Sequence, residues 1–465
     1  MTQIAPLHRI EVEYWPDTAV RVQRLAAGPW FAFLDSCRFV PGAGRYDIVA
    51  WEPAMCLRTI NGVTHIDVGQ TRHTARDDPF DLLGAALGPP GETLDLPFCG
   101  GAIGAFSYDL ARCWQRLPVR AARDIELPEM AVGIYDRALI VDHLHQCAWF
   151  VHRGLARAEV DRALASIAVP RTLTPAALAP NFMVTSAVSP ALSFAEYAAS
   201  FARIKRYLAD GDCYQVNFSQ RFSARAAGDP FDAYLRLRRL NAAPFAAFLR
   251  LPEAAILSSS PERFIAIRGR AVETRPIKGT RPRASTPARD GALAAELAAS
   301  AKDRAENVMI VDLMRNDLGK SCTVGSVAVP QLCAVESYAR VHHLVSTVRG
   351  ELRADVDALA ALRSCFPGGS ITGAPKLRAM QIIEELEPTR RSIYCGAIGY
   401  LSHDRQMDTS IAIRTLLFQR QRLYCWAGGG IVMDSELTDE YQESLDKAAA
   451  LLNVFADAAI QYMGR

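Results

Sequence analysis

The stretch Thr274–Thr280, TRPIKGT, places Lys278 on a turn between a proline and a glycine. Pro276 fixes its own backbone φ, and Gly279 permits a conformation that a side chain would forbid. An apolar run precedes this stretch and ends in Ser258–Phe264, SSSPERF. A single lysine in such a turn is usually a solvated charge, so its meaning depends on the segments downstream. Those acidic, glycine-rich and basic segments together predict a site for an acidic, metal-bound small molecule, with Lys278 as its nucleophile.

The composition is that of a large globular chain with no global charge. Half of the 465 residues are hydrophobic, which is ample for a large core. The 52 basic and 50 acidic residues leave a net charge of +2, which gives no drive toward nucleic acid or a membrane surface. The 11 cysteines are scattered and odd in number, which predicts reduced thiols in a cytoplasmic protein. No apolar run is long enough to cross a membrane.

Short β-like runs separated by turn clusters occupy the first part of the chain. A short helix is predicted over Pro79–Leu87, ahead of glycine and proline residues that end it. Two strands are predicted over Met130–Val141 and Cys147–His152. A proline- and alanine-rich stretch, Pro170–Pro190, is the best candidate for a linker.

Longer helical patterns begin after this linker. Ser193 is the predicted N-cap of a helix that reaches Ala209. One long helix is predicted over about Gly291–Leu313, another from near Val341, and a terminal helix from about Thr438. Many strands mixed with few long helices predict an α+β fold instead of a doubly wound sheet.

Two pairs of acidic residues have the spacing that places both members on one face of a helix. They are Asp303 with Glu306, and Glu440 with Glu443. Each pair alone is most often a solvated helix face. The first pair, however, continues into the segment Met309–Met314, which is too apolar for a surface helix. Carboxylates from two separate helices would suit Mg²⁺, which prefers oxygen ligands and completes its shell with substrate and water.

Two glycine-rich segments and two cationic side chains complete the candidate site. The segment Phe366–Lys376, FPGGSITGAPK, lacks the spacing of a phosphate loop, so no nucleotide is predicted. The glycines at 428–430 could offer backbone N–H groups to a carboxylate. Arg414 lies in an apolar, strand-like run and needs an anionic partner, which could be a substrate carboxylate or an internal salt bridge. His343, taken alone, is more often a core histidine.

Taken together, these segments resemble the chorismate-utilising enzymes, and within them the branch that forms aminodeoxychorismate. The resemblance runs from about Trp30 to the C-terminal helix. Its motifs are GDCYQVN (211–217), LSSSPERF (257–264), TRPIKGT (274–280), AKDRAENVMIVDLMRNDLG (301–319), VHHLVSTV (341–348), FPGGSITGAPK (366–376), MDTSIAIRT (407–415) and GGGIVMDS (428–435). The resemblance implies an anthranilate-synthase-like fold, with large antiparallel sheets in the centre and helices outside. It also implies two subdomains, an anthranilate-synthase-component-I-like one over 1–180 and a chorismate-binding catalytic one over 190–465.

The resemblance also assigns roles to individual residues. The implied Mg²⁺ ligands are Glu306 and Glu443, with Asp303 and Glu440 acting through water. His343 is placed beside the chorismate ring, as a catalytic residue together with Lys278 and Glu262. The implied substrate contacts are Gly279, Thr280, Tyr394, Arg414, Gly428, Gly430 and Lys447.

Two positions separate the branches of this family. Members that add water carry a lysine base where this chain has Gln215, and anthranilate synthases carry alanine where it has Lys278. The resemblance therefore implies that the Lys278 amine adds at C2 of chorismate as the C4 hydroxyl leaves. Ammonia then adds at C4 and expels the lysine, giving 4-amino-4-deoxychorismate for 4-aminobenzoate and folate synthesis. Glu262 is the candidate acid for the departing oxygen, although it could simply pair with Arg263 or Lys278.

The ammonia source is expected on another chain. No cysteine here lies in a nucleophile-elbow context, so the resemblance implies a separate glutamine amidotransferase subunit in a heterodimer. The main alternative is anthranilate synthase component I, against which Lys278 argues. A catalytically inactive regulatory subunit would lack the metal ligands, which are present. A nucleic-acid binder is disfavoured by the near-neutral charge balance.

Overall fold

The computed structural model of the chain describes residues 5–37, 44–168, 181–338 and 341–455. Most of the predicted linker, residues 170–180 of Pro170–Pro190, lies outside these ranges. The described helices are α1 (Thr18–Arg21), α2 (Pro79–Leu87), α3 (Arg157–Ser166), α4 (Phe194–Ala209), α5 (Pro230–Leu240), α6 (Pro287–Ala299), α7 (Ala301–Gly319), α8 (Ala358–Cys365), α9 (Lys376–Leu386) and α10 (Leu437–Leu452). The predicted helix at Pro79–Leu87 is confirmed, and so is Ser193 as the N-cap of α4, where its side chain accepts a hydrogen bond from the Glu196 N–H.

The strands are more numerous than the helices, and the pairings between them are antiparallel. In chain order they are β1 (Leu7–Val12), β2 (Phe31–Asp35), β3 (Tyr46–Ala50), β4 (Met55–Ile60), β5 (Val63–Val68), β6 (Thr71–Ala75), β7 (Gly101–Phe106), β8 (Met130–Tyr135), β9 (Arg137–Asp142), β10 (Cys147–Arg153), β11 (Phe182–Val184), β12 (Ser189–Pro190), β13 (Gln215–Gly228), β14 (Phe245–Arg250), β15 (Ala255–Ser260), β16 (Arg263–Arg268), β17 (Ala271–Thr274), β18 (Ile277–Pro282), β19 (Ala328–Ser337), β20 (Val341–Glu351), β21 (Gly373–Ala374), β22 (Ala397–Ser402), β23 (Met407–Ile411), β24 (Thr415–Gln419) and β25 (Arg422–Ile431).

These strands form two large sheets. Sheet 1 has the order β1-β10-β9-β3-β2-β14-β15-β24-β25-β13-β11, with β12 and β21 also paired to β13. Sheet 2 has the order β18-β20-β17-β16-β23-β22-β7-β8-β4-β5-β6, with β19 paired to β20. The largest hydrophobic cluster contains buried side chains of both sheets, such as Ile256 and Ile265, together with Leu83 of α2. Two antiparallel sheets that share a core and carry helices confirm the predicted α+β class.

Each sheet combines strands from before and after residue 180. In sheet 1, β2 pairs with β14, and in sheet 2, β7 pairs with β22. The predicted division into subdomains 1–180 and 190–465 stays a prediction.

The chain crosses between the sheets at short connections. The predicted single strand Met130–Val141 is wrong for this reason, since β8 belongs to sheet 2 and β9 to sheet 1, with Asp136 between them. The connections β15–β16 and β23–β24 also pass from one sheet to the other. They run side by side, because the Ile411 N–H donates to the Glu262 carbonyl and the Ser259 N–H donates to the Arg414 carbonyl.

The predicted long helix over Gly291–Leu313 is wrong, because it is divided at Ser300 into α6 and α7. The Ser300 side chain accepts a hydrogen bond from the Asp303 N–H at 3.3 Å and so caps α7. Serine competes for backbone groups in this way and favours a new helix start over an uninterrupted helix. The acidic pair Asp303 and Glu306 therefore lies in the first two turns of α7.

The predicted helix beginning near Val341 is also wrong. Residues Val341–Glu351 form β20, which pairs with β17, β18 and β19. Pairing on both sides outweighs the helical spacing of its apolar residues, and its β-branched residues suit a pleated surface. As a result His343 lies on a strand, directly opposite Thr280 of β18.

Candidate active site

A cavity of about 520 Å³ lies where the two sheets approach α7 and α10. It is lined by 13 of the 14 site residues expected from the sequence. They are Lys278, Glu262, His343, Gly279, Thr280, Tyr394, Arg414, Gly428, Gly430, Lys447, Asp303, Glu306 and Glu443. The remaining one, Glu440, lies behind the wall, where a Cβ placed on Gly429 would come 2.8 Å from Glu440 Oε2.

Lys278 lies on β18 at the point where its pairing with β20 is interrupted. The register shifts between Ile277 and Thr280, so Lys278 and Gly279 form a bulge. Bulges of this kind re-aim side chains beside active sites. Gly279 has φ +79°, and a Cβ there would come 2.9 Å from the Asp303 side chain and from Leu297 Cδ1. Only glycine fits where β18 passes the start of α7.

Lys278 is linked to Glu262 through one serine. Its Nζ donates to the Ser370 carbonyl at 3.2 Å, and the Ser370 hydroxyl donates to Glu262 Oε1 at 2.7 Å. Ser370 lies in the turn Gly369–Ile371, and Glu262 lies on the β15–β16 crossing with 5% of its surface exposed. Among the described residues, neither Lys278 nor Glu262 forms an ion pair, so Glu262 is not simply the salt-bridge partner of Arg263 or Lys278.

Burial shifts the pKa values of these two groups toward each other. It raises the pKa of Glu262 to about 7, against the opposing hydrogen bond from Ser370 and the charge of Lys278. It lowers the pKa of Lys278, although Glu262 and Glu306 oppose the shift. Removing water penalises the charged form of each group. The pair thus has a carboxyl group that can hold a proton near neutral pH and an amine that loses its proton more readily than an ordinary lysine.

The four carboxylates of the acidic pairs have different partners. Glu443 is paired with Lys447 at 2.5 Å, and Lys447 also donates to the Gly428 carbonyl at 2.8 Å. Asp303 is paired with Arg281 at 3.2 Å, and Glu440 accepts from the Ser435 hydroxyl at 2.7 Å. Among the described residues, Glu306 has no such partner.

The protonation of these carboxylates follows their partners. Burial raises the pKa of Glu306 and of Glu440. Burial also acts to raise the pKa of Glu443, but Lys447, Lys302 and Lys278 together outweigh it and the pKa ends below its usual value. Within the described ranges, no three Asp, Glu, His or Cys side chains are gathered closely enough to hold a metal ion by themselves. Two carboxylates from two helices could nevertheless share an ion with oxygens of a ligand and water, which is the usual shell of Mg²⁺.

Arg414 was predicted inside a strand, but it lies on the crossing between β23 and β24 with φ 51°. It forms no ion pair with any described residue, so the alternative of an internal salt bridge is not observed. Burial lowers the pKa of Arg414, against the opposing charges of Tyr394 and Glu443. Tyr394 stacks on Trp426 beside it, with ring centroids 6.1 Å apart. A partly buried, unpaired guanidinium is a natural partner for an anionic ligand.

His343 lies on β20, directly opposite Thr280 of β18. Its Nδ1 is 2.9 Å from Thr280 Oγ1. Burial, followed by the charge of Arg414, lowers the pKa of His343 to about 4. The ring is therefore neutral at pH 7 and can offer a hydrogen bond without carrying charge.

Comparison with known proteins agrees with this geometry. Residues 36–453 match the model of a family described as chorismate binding enzyme. The chain belongs to the chorismate binding enzyme family. A relative from Klebsiella aerogenes, "Aminodeoxychorismate synthase component 1", is 49% identical, over 96% of this chain and 98% of that protein. "Anthranilate synthase component 1" of Acetivibrio thermocellus is 37% identical, over 89% of this chain and 87% of its own length.

A solved structure confirms the expected fold of this chorismate binding enzyme. The crystal structure of anthranilate synthase component I from Streptococcus pneumoniae superposes with a TM-score of 0.80 at 32% identity. The match covers 89% of this chain and 93% of that chain. Within the described ranges, the helices include none that is both long and apolar enough to span a bilayer.

Sequence reasoning missed several residues of this chorismate binding enzyme's cavity. Those that line it without having been predicted include Asn217, Lys302, Ser370 and Trp426. Asn217 and Ser370 lie inside motifs that the sequence analysis quoted, GDCYQVN and FPGGSITGAPK. Nothing in either motif distinguishes a side chain that faces the cavity from one that packs behind it.

Proposed function

We propose that this protein aminates chorismate at C4 to give 4-amino-4-deoxychorismate, using ammonia from a glutamine amidotransferase partner. The observation that carries the proposal is the arrangement of Lys278, Ser370 and Glu262 at the cavity wall. A relative named aminodeoxychorismate synthase component 1 at 49% identity supports the same activity, whereas the relative named anthranilate synthase component 1 stands at 37%.

In the first half-reaction the Lys278 amine forms a bond to C2 of the ring. The ring double bonds shift, the C4–O bond breaks, and Glu262 donates a proton so that water leaves instead of hydroxide. An ordinary lysine, with a pKa near 10.4, would cost roughly 4–5 kcal/mol to deprotonate at pH 7. Burial of Lys278 reduces this cost because it lowers the pKa of the amine.

In the second half-reaction ammonia forms a bond to C4. The double bonds shift back, the C2–N bond to Lys278 breaks, and the released lysine amine can accept the proton that the new amine loses. The enolpyruvyl group stays on the ring. Nitrogen is therefore introduced para to the ring carboxylate instead of ortho.

The substrate carboxylates have two separate partners. Arg414, with Tyr394 beside it, would bind the enolpyruvyl carboxylate, because its guanidinium forms no ion pair with a described residue. Thr280 and the neutral His343 would contact the ring side that faces β18. The backbone of Gly428 and Gly430 would approach the ring carboxylate, and Lys447 supplies positive charge on the same wall.

The donor set fits Mg²⁺. We propose that Glu306 and Glu443 hold the ion, with Asp303 and Glu440 contributing through water. When bound, the ion would supply positive charge to the ring carboxylate. Glu443 is also paired with Lys447 at 2.5 Å, so the lysine would share this carboxylate with the ion.

The source of the ammonia, the cellular location and the division into subdomains are further parts of the proposal. We infer a heterodimer with a glutamine amidotransferase subunit, in keeping with the "component 1" in the relative's name. We also infer a cytoplasmic location, because all 11 cysteines are free thiols. Residues 1–180 would act as the component-I-like subdomain and residues 190–465 as the chorismate-binding one.

The experiment that tests the function is a product assay with adduct detection. The purified chain is mixed with chorismate, Mg²⁺ and ammonium chloride at mildly alkaline pH, and the products are separated and identified by mass. We expect a product that carries an amine at C4 and retains the enolpyruvyl group. Without ammonia, intact-protein mass spectrometry should show the chain heavier by one chorismate less one water, and Lys278→Ala should show no such increase. Formation of anthranilate would support the alternative, anthranilate synthase component I.

A further inference from the structure

Ser370 contacts both of the groups that the proposed amination uses. It lines the cavity with 6% of its surface exposed, in the turn Gly369–Ile371. Its hydroxyl donates a hydrogen bond to Glu262 Oε1 at 2.7 Å, and its backbone carbonyl accepts one from Lys278 Nζ at 3.2 Å. The side chain of Ser370 therefore acts on the carboxyl group alone. A substitution that removes only the hydroxyl leaves the contact with Lys278 in place.

The turn that carries Ser370 is held by hydrogen bonds to the surrounding fold. The Thr372 carbonyl accepts from the Asn217 N–H at 2.9 Å, which joins the turn to β13. The Ile371 carbonyl accepts from Arg391 Nη1 at 2.9 Å, and this arginine is 1% exposed. A side chain on such a fixed backbone can keep one orientation, which is what a residue that orients a catalytic group needs.

The hydroxyl of Ser370 occupies one oxygen of the Glu262 carboxyl group as a donor. A protonated carboxyl group carries its hydrogen on one oxygen and accepts hydrogen bonds at the other. Because Oε1 accepts from Ser370, the proton of the acid is carried on Oε2. Hydrogen bonds to a charged acceptor are about twice as strong as neutral ones, so this bond strengthens as Glu262 releases its proton.

We propose that Ser370 is a positioning residue, whose hydroxyl holds the Glu262 carboxyl group with its proton on Oε2 and stabilises the carboxylate that remains. In the first half-reaction the O–H bond of Glu262 breaks, and the proton goes to the oxygen that leaves C4. Ser370 keeps its own hydrogen and forms no covalent bond. This inference rests on the proposed amination, and it concerns only the step that forms the Lys278 adduct.

The groups around Glu262 agree with this role. Burial raises the pKa of Glu262, and the hydrogen bond from Ser370, the charge of Lys278 and the Ile277 N–H oppose the rise. The Cys395 thiol also interacts with Glu262, but burial raises the pKa of this thiol to about 12, so it carries no charge at neutral pH. Loss of the Ser370 hydroxyl therefore leaves a carboxyl group that keeps its proton to higher pH.

The test measures adduct formation as a function of pH. The full chain is mixed with chorismate and Mg²⁺ without ammonia, and the increase in intact mass is followed over time. We expect Ser370→Ala to form the adduct about 10- to 100-fold more slowly, because a hydrogen bond to a developing charge is lost. The chorismate concentration that gives the half-maximal rate should change less than about 2-fold, since the hydroxyl acts through Glu262.

The pH profile and the second half-reaction are the readouts that a loss of packing would not produce. The alkaline limb of Ser370→Ala should move to higher pH by about 0.5–1 unit, which corresponds to one hydrogen bond to the carboxylate. The adduct, once formed, should react with added ammonium chloride at the wild-type rate. Ser370→Thr keeps the hydroxyl and should restore the wild-type profile.

Ser36→Ala is the matched control. Ser36 is 3% exposed and donates to another buried carboxylate, Asp47 Oδ1, at 2.6 Å, but it does not line the catalytic cavity. The variant loses the same kind of hydrogen bond and should change neither the rate of adduct formation nor the alkaline limb.

Other outcomes would overturn the assignment. If Ser370→Ala forms the adduct at the wild-type rate with an unshifted alkaline limb, Ser370 does not position the acid. If it needs more chorismate while the limb stays in place, the hydroxyl contacts the substrate instead of Glu262. Should Ser370→Ala fail to fold, Ser370→Cys keeps a weak donor and should move the limb in the same direction; an unshifted limb there counts against the proposal. A wild-type chain that forms neither adduct nor amine would instead refute the proposed function itself.

Discussion

Two of the cavities that the described residues form have nearly equal volumes, and they differ in how the charged side chains on their walls are paired. The catalytic cavity measures about 520 Å³, and a second cavity of about 530 Å³ lies between the sheets, beside Tyr46 of β3 and Arg263 of β16. In the second, Arg263 pairs with Asp408 and Glu273, both at 2.9 Å, Asp35 pairs with Arg238 at 2.7 Å, and the exposed Arg268 donates a hydrogen bond to Gln406. In the first, Lys278 and Arg414 have no carboxylate partner among the described residues.

The comparison teaches that volume alone does not identify a site of chemistry. Charges that are satisfied within the fold stabilise it and have little left to offer a ligand. Charges that are buried without partners cost free energy in the free protein, and a substrate of opposite charge recovers that cost.

The largest expected effect is that of removing the nucleophile. Lys278→Ala should lower the rate of C4 amination at least about 10³-fold, because the proposed reaction proceeds through a bond from this amine to C2. Lys320→Ala, at the far end of α7, removes a lysine that is half exposed and should change the rate less than about 2-fold. Steady-state rates with ammonium chloride measure both. If the Lys278→Ala variant aminated chorismate at the wild-type rate, the catalytic cavity would no longer differ from the second cavity by holding the nucleophile.

The next effect concerns the pH dependence. With the pKa of Glu262 raised to about 7, the carboxyl group is protonated below pH 7 and loses its proton above it. The first half-reaction needs this proton, so its rate should fall as pH rises through about 7, while deprotonation of Lys278 shapes the acidic limb. Glu262→Gln should slow adduct formation by about 10²- to 10⁴-fold and abolish the alkaline limb. An alkaline limb that persists in Glu262→Gln would assign it to another group.

A smaller effect is expected at the acidic pairs. Glu306→Gln should raise the Mg²⁺ concentration needed for half-maximal activity by about 10- to 100-fold, because one charged oxygen ligand is lost. Asp312→Asn, two turns further along α7 and 64% exposed, removes the same charge away from the cavity and should leave the requirement unchanged. Titrating Mg²⁺ into metal-free protein checks both. If both variants raised the Mg²⁺ requirement equally, the effect would come from the change in net charge and not from the loss of a metal ligand.

The smallest effect is expected in the second cavity. Tyr46→Phe removes only a hydroxyl group from its wall and should change the amination rate by less than about 2-fold. The same assay at saturating substrates measures it. A loss of more than tenfold would show that the second cavity takes part in catalysis.

Much of the site was accessible from the sequence because its residues lie in contiguous motifs. The sequence around Lys278 and Gly279 predicts a turn. The spacing of Asp303 and Glu306 is enough to place them on one helix face. The placement of His343 failed, since the apolar spacing after Val341 fits a helix and only pairing with β18 makes it a strand. The local sequence pattern does not show which strands a segment will pair with.

The residues that were missed depend on long-range contacts. Ser370 becomes significant only because the loop after α8 brings its hydroxyl to Glu262, 108 positions earlier. Asn217 reaches the cavity wall through the pairing of β13 with β25. The position of Arg414 could not be predicted from the sequence, because β23 ends before it, where the chain crosses between the sheets. The sequence motifs identified most of the site residues, and the crossings between the two sheets determine how these residues are arranged.

The mixed membership of the two sheets has a consequence for how the chain folds. Strands β2 and β14 are joined through the pairing of Asp35 with Ala246, and β7 and β22 through that of Phe106 with Ala397. Such distant pairings require large loops to close before they contribute stability, which slows folding. During synthesis, neither sheet can be completed until the C-terminal third has left the ribosome. The strands that are synthesised first therefore keep unpaired edges until then. During this period the protein is most prone to aggregation.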